Sequence, residues 1–102
     1  MIPKDHRYIC AEGIEEDITY KVWNMGEKKI KVQLFWGEKP NRGYKIRIRD
    51  VVIDGDKIKV SYKKILPKPD SVYSQVISYP CDSWDGNIED VYPQYLVELQ
   101  TD

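Results

Sequence analysis

Histidine occurs once, phenylalanine once, and cysteine and methionine twice each in this chain of 102 residues. Each scarcity removes a class of chemistry. The lone His6 has no serine or cysteine at a recognised motif spacing, so no nucleophile and base form a legible pair. Two cysteines and one histidine are too few for a closed zinc site. The segment Asp82-x-x-Asp85-x-Asn87 lacks the ligand periodicity and closing glutamate of a calcium loop. No apolar run approaches the roughly 18 residues needed to span a bilayer as a helix. The start, Met1-Ile2-Pro3-Lys4-Asp5-His6, has no hydrophobic leader core. A dominant charge is missing too, with 16 basic residues against 17 acidic ones and a formal net charge of −1. Lys and Arg do crowd residues 28–64, but basic residues alternating along strands ordinarily make a solvated outer face, so no nucleic acid is expected. Neither a metal nor a cofactor is implied, and the residues point to a recognition module, not an enzyme.

What remains is a globular balance, 41% apolar and 32% charged, in a length that fits one domain with one core. The abundance of Lys, Ile, Glu and Tyr adds a weak compositional signal of a heat-adapted source.

Hydrophobic periodicity gives a succession of strands. Arg7–Cys10 is the only strand candidate in an otherwise irregular start. Ile18, Tyr20 and Val22 alternate with polar or outward partners up to Asn24, and Asn24-Met25-Gly26-Glu27 reads as a turn. Ile30, Val32, Leu34 and Trp36 then alternate with Lys29, Lys31, Gln33 and Phe35, the clearest period of two in the chain. After a Gly37 to Gly43 loop, Tyr44, Ile46 and Ile48 continue the pattern until Val51-Val52-Ile53 breaks its phase. Asp54-Gly55 predicts a two-residue hairpin pairing Ile53 with Asp56. An extra residue at Arg49-Asp50 is then needed to keep Ile46 and Ile48 on the core face, beside Tyr62 and Val60, and a β-bulge is expected there. Lys57–Ile65 forms the returning strand, and Pro67-Lys68-Pro69-Asp70 ends it. Val72–Tyr79 reads as a fifth strand, residues 81–92 as an acidic loop with at most one helical turn near 85–91, and Gln94–Leu99 as the last strand. Residues 1–6 and 100–102 are expected to fray. The sum is a single all-β domain over residues 1–102, an antiparallel sandwich or partly open barrel.

Cys10 and Cys81 are either bridged, worth roughly 4 kcal/mol in a chain-entropy model, or two buried free thiols; their separation in sequence does not choose. The loop Glu38-Lys39-Pro40-Asn41-Arg42-Gly43-Tyr44 is bounded by glycine and proline between two well-marked strands. It is therefore pre-ordered and loses little entropy on meeting a partner. Structurally it is a hairpin connection in which Pro40 fixes φ and Gly43 permits φ > 0. Gln75, among apolar neighbours, is expected to tie the loop backbone to the sheet or to touch a partner. Trp84 and Tyr92 lie in a polar segment and are the aromatics expected to reach a protein or glycan. Trp23 and Trp36 are expected to fill the core.

Phe35, Gly37, Pro40, Gly43 and Tyr44, followed by Gln75, Val76, Ile77 and Pro80, resemble the C-terminal domain of the protease-complex subunit PrcB family. That family has a strand ending in Phe-x-Gly, a loop with Pro and Gly-Tyr, and a later Gln-aliphatic-aliphatic-Thr-x-Pro segment. The resemblance covers residues 34–80. Pro67-Lys68-Pro69-Asp70 replaces the usual proline-flanked glycine, Ser74 and Ser78 stand near the threonine position, and the segment after Pro80 is longer and more acidic. The resemblance implies a non-catalytic accessory protein associated with a secreted serine-type protease, hence an extracellular or cell-surface setting. Two other readings compete with it. One is direct protease inhibition through the Pro40 to Tyr44 loop, whose Pro-x-x-Gly-aromatic stretch resembles chagasin-like inhibitors. The other is carbohydrate binding by exposed aromatics.

Overall fold

A computed structural model describes residues 7–70, 72 and 75–101. Its seven strands are β1 (Tyr8–Glu15), β2 (Ile18–Gly26), β3 (Lys29–Phe35), β4 (Lys45–Asp54), β5 (Lys57–Ile65), β6 (Cys81–Asn87) and β7 (Leu96–Thr101). They form a four-stranded sheet ordered β1-β2-β3-β6 and a three-stranded sheet ordered β4-β5-β7. The described residues contain no helix, and the two sheets pack as a small sandwich-like domain that does not close into a barrel. Ile18 and Val22 of β2, Ile30, Val32 and Leu34 of β3, Ile46 of β4 and Ile58, Val60 and Tyr62 of β5 fill the space between, with Cys10, Trp36, Ile88 and Tyr95 around them. Those of β2 to β5, with Trp36, are residues whose period-two alternation marked them as inward-facing; Cys10, Ile88 and Tyr95 carried no such mark. Removing their apolar area from water at about 25 cal/mol per Å² is the main favourable term.

The β4–β5 hairpin has its bulge where expected, with the register shifting between Ile48 and Asp50. The turn sits one residue later than the Asp54-Gly55 signal suggests. Asp54 pairs with Lys57, Ile53 with Ile58 and Ile48 with Tyr62, so the predicted partners are displaced by two residues and the same faces stay buried. The reason is backbone conformation. Gly55 takes φ of 62° at the first central position, the pattern of a II′ turn, and this places Asp56 second. β2 likewise runs on to Gly26, and the turn falls on Glu27 and Lys28, whose φ values of 53° and 59° match the left-handed pair of a I′ turn.

Four expectations are corrected. β1 is an eight-residue strand beside β2, longer than Arg7–Cys10. Among the described residues of 72–79 there is no strand; only Ser78 makes a bridge, to Lys39. The outer neighbour of β3 is β6, in the stretch read as an acidic loop with a helical turn. β6 was illegible because its inward residues are Asp82, Trp84 and Gly86: one caps amides, and another lays its indole over the third, leaving no aliphatic alternation. Finally, the last strand is Leu96–Thr101 in place of Gln94–Leu99, and it pairs with β5 in parallel, not antiparallel.

Both thiols are free, which settles the cysteine question against a bridge. Cys10 and Cys81 lie on the two outer strands of the four-stranded sheet, three steps of about 4.8 Å apart, roughly twice the reach of a disulfide. Cys10 is buried, with its Sγ 3.5 Å from the Val22 carbonyl oxygen, and burial pushes its thiol pKa up. Cys81 is exposed, not buried.

The seam between the sheets is tied at Asp82. Its Oδ2 accepts from the Ile48 amide of β4 at 2.8 Å, and its Oδ1 accepts from the Ser83 amide of β6 at 3.0 Å. On the opposite seam the Tyr95 amide donates to the Cys10 carbonyl at 3.3 Å and the Leu99 amide to Glu15 Oε2 at 3.3 Å.

Two outcomes follow. A thiol reagent should label one cysteine per folded chain and both after denaturation, with Cys81→Ala removing the fast reaction. Asp82→Ala should lower stability by about 2–3 kcal/mol, because two amides lose a charged acceptor; urea unfolding measures this.

Candidate functional site

The loop after β3 leaves the sheet at Gly37, which takes φ of +84° with open space around its Cβ position. The left-handed residue is thus Gly37 and not Gly43 as the sequence suggested. Gly43 is instead buried, and its amide donates to Asn41 Oδ1 at 2.8 Å in an Asx turn.

The loop is joined along its length to the segment before β6. Lys39 and Ser78 exchange both backbone hydrogen bonds, at 2.8 and 3.0 Å, and the Trp36 amide donates to the Pro80 carbonyl at 2.9 Å. Ser78 Oγ donates to the Asn41 carbonyl at 2.7 Å, and Tyr79 Oη donates to Glu38 Oε1 at 3.2 Å. The Glu38 carboxylate in turn raises the Tyr79 hydroxyl pKa. Loop and segment therefore form a two-ply platform fastened at Trp36, Lys39 and Asn41, with Glu38, Pro40 and Arg42 exposed on one ply and Val76, Ile77 and Tyr79 on the other.

Beneath it sits Trp36, only 5% exposed. Its Nε1 donates to Asp17 Oδ2 at 2.9 Å, while Lys64 Nζ bonds Asp17 Oδ1 at 2.6 Å. Lys39 and Lys64 place their ammonium groups 4.6 and 5.3 Å from the indole centroid, and Tyr44 meets the indole edge-on at 5.6 Å. Cations over an indole face gain from its quadrupole, and Trp gives the strongest such attraction. The Lys64 ion pair first, then the Trp36 bond, hold the Asp17 carboxyl below its ordinary pKa.

Of the residues expected to meet a partner, Glu38, Lys39, Pro40, Asn41, Arg42, Gly43 and Tyr44 are together in this platform. Gln75 is exposed at its entrance and is not the buried amide anticipated; Ser78 performs the tie assigned to it. Trp84 and Tyr92 do not join. Both pack against the core, Trp84 across from Val32 and Tyr92 edge-on to Tyr95 at 5.8 Å, far along the strands from the loop. Their polar sequence context hid an inward strand position and an apolar anchor, and the aromatics on which a glycan reading rested are turned inward. His6 lies outside the described residues. Sequence reasoning missed Asp17, Lys64 and Tyr79; an indole N–H in the core needs an acceptor, and that requirement was the available signal for Asp17. Among the described residues no three His, Cys, Asp or Glu side chains converge as metal ligands.

A small two-sheet β-domain with a rigid, solvent-facing loop platform is the class that fold and geometry define. A family model described as PrcB C-terminal matches residues 30–83, a span holding the loop, the bulged hairpin and the Asp82 tie. The chain belongs to the PrcB C-terminal family, a family of protease-complex-associated accessory domains. No curated protein and no solved structure matches it.

Because the Asp17 pKa is lowered in the fold, its contribution to stability is complete above the ordinary aspartate value and is lost as pH falls below about 4. Asp17→Asn should remove that acid-side loss. The half-exposed pair is screened, so the difference at neutral pH should be about 0.5 kcal/mol; urea midpoints of both proteins across the acid range give the comparison.

Proposed function

We propose that this chain is a non-catalytic protein-binding module of a protease complex, contacting its partner through the platform of Glu38 to Tyr44 and residues 75–80. One observation supports the reading above the rest: Val76, Ile77 and Tyr79 remain 47%, 56% and 67% exposed on a segment fastened to the loop at Ser78 and Pro80. Apolar side chains held rigidly in water, with little entropy left to lose, are what a docking site presents. Family membership supplies the setting of a protease complex. The platform shape favours an accessory surface over an inhibitor's wedge, since Lys39 and Asn41, at the middle of the loop, are engaged by Ser78 and not free to insert into a cleft.

The test is co-purification with the source organism's protease complex together with a peptide-hydrolysis assay. The chain should associate without abolishing hydrolysis. Ile77→Ser combined with Tyr79→Ala should weaken association about tenfold or more, as expected when apolar anchors at the centre of an interface are truncated. Blocked hydrolysis would reassign the loop as an inhibitor, and undiminished association by the double variant would exclude the platform.

A further inference from the structure

We propose that the solvent face of β4 and β5 at the loop end, formed by Lys45, Arg47 and Lys63 with Arg42 in the loop that leads into it, binds a carboxylate-rich protein surface whose apolar side chains seat on Leu66, Ile77 and Tyr79 at the same end. This rests on the protein-binding reading above and specifies the partner's chemistry. Arg47 and Lys63 stand directly opposite each other across the β4–β5 ladder, both exposed. Like charges in that position destabilise a sheet. Among the described residues none of the four cations has a carboxylate within ion-pair distance, and Arg47 uses a single guanidinium nitrogen, Nη1, on its neighbour's carbonyl at 3.0 Å. The other loop-end cations are treated differently. Lys64 is paired with Asp17, and Lys39 lies over Trp36 and Tyr44. The cluster is therefore a local positive field in a chain of net charge −1, and its complement is anionic.

Exposed apolar side chains lie at the same end of the domain. Lys45 pairs with Ile65, and the next residue, Leu66, is 64% exposed. The same loop that carries Arg42 is bonded to the segment carrying Ile77 and Tyr79. Leu66 and Ile77 are aliphatic and offer no stacking face, Tyr79 is the single ring and its hydroxyl is held on the Glu38 carboxylate, and Asp50, Asp54 and Glu98 bound the cationic cluster on the same sheet, so discrete carboxylates on a protein surface fit better than a continuous polyphosphate chain.

The probe is a synthetic peptide alternating glutamate with leucine, titrated into the isotope-labelled chain and followed by amide NMR shifts. A lysine-for-glutamate peptide and an oligo-dT strand serve as comparators. Shifts should map to Lys45, Arg47, Lys63 and Ile77, and added salt should weaken binding. Arg47→Glu should reduce affinity about tenfold while raising the unfolding midpoint, because it exchanges a repulsive cross-strand pair for an attractive one; a variant that misfolds cannot give that opposed pair of results. Absent or displaced shifts, or oligo-dT binding as tightly as the acidic peptide, would overturn the assignment. If Arg47→Glu associates with the protease complex undiminished, this face is excluded and the platform reading stands. If the wild-type chain binds the acidic peptide here yet never associates with the protease, this face is supported and the protease reading falls.

Discussion

Two separate sheets packed face to face leave strand edges along each seam, and every edge carries amides that must find acceptors or remain in water. Here one carboxylate resolves the seam between β4 and β6. Asp82 sits on the inward face of β6 and accepts one amide from each sheet, from Ile48 beside the β4 bulge and from Ser83 on its own strand. The bulge and the aspartate belong together: the extra residue at Arg49 re-aims β4 so that Ile46 remains in the core. Charged acceptors make shorter and stronger bonds than neutral ones, so a single side chain substitutes for ladder pairing that the diverging sheets cannot make. The loop platform depends on the same corner, since Pro80, two residues earlier, is where the segment from Gln75 joins β3 through Trp36.

The sandwich was largely legible because its centre obeys simple rules. β2, β3, β4 and β5 read as strands from alternation alone, and the phase slip at Val51-Val52-Ile53 demanded a bulge that is present. The failures share a cause. β6 replaces an apolar face with Asp82, Trp84 and Gly86, so polar composition concealed a paired strand, while Val72–Tyr79 looked like a strand because composition cannot say whether an edge is vacant. β3 had both neighbours already. The parallel pairing of β7 with β5 was equally hidden, because no local turn encodes it.

The site divides in the same way. The Glu38 to Tyr44 loop was located by its glycine and proline boundaries, which are local signals. Its second ply, its Trp36 support and the inward turn of Trp84 and Tyr92 are tertiary facts. Asp17 and Lys64 are 47 residues apart and meet only because the first hairpin and the end of β5 converge on one indole.

The parallel edge has a kinetic corollary. Each of the β1–β2, β2–β3 and β4–β5 contacts can zip outward from its own tight turn, a process of microseconds for a hairpin. β7 has no such start. It must find β5 across residues 66–95, a span that contains a strand of the other sheet, so loop-closure entropy is spent before any pairing repays it. The hairpins are therefore expected to assemble early and the C-terminal strand to dock late, and until it does, the lysine-bearing flank of β5 stands open to whatever chain passes first.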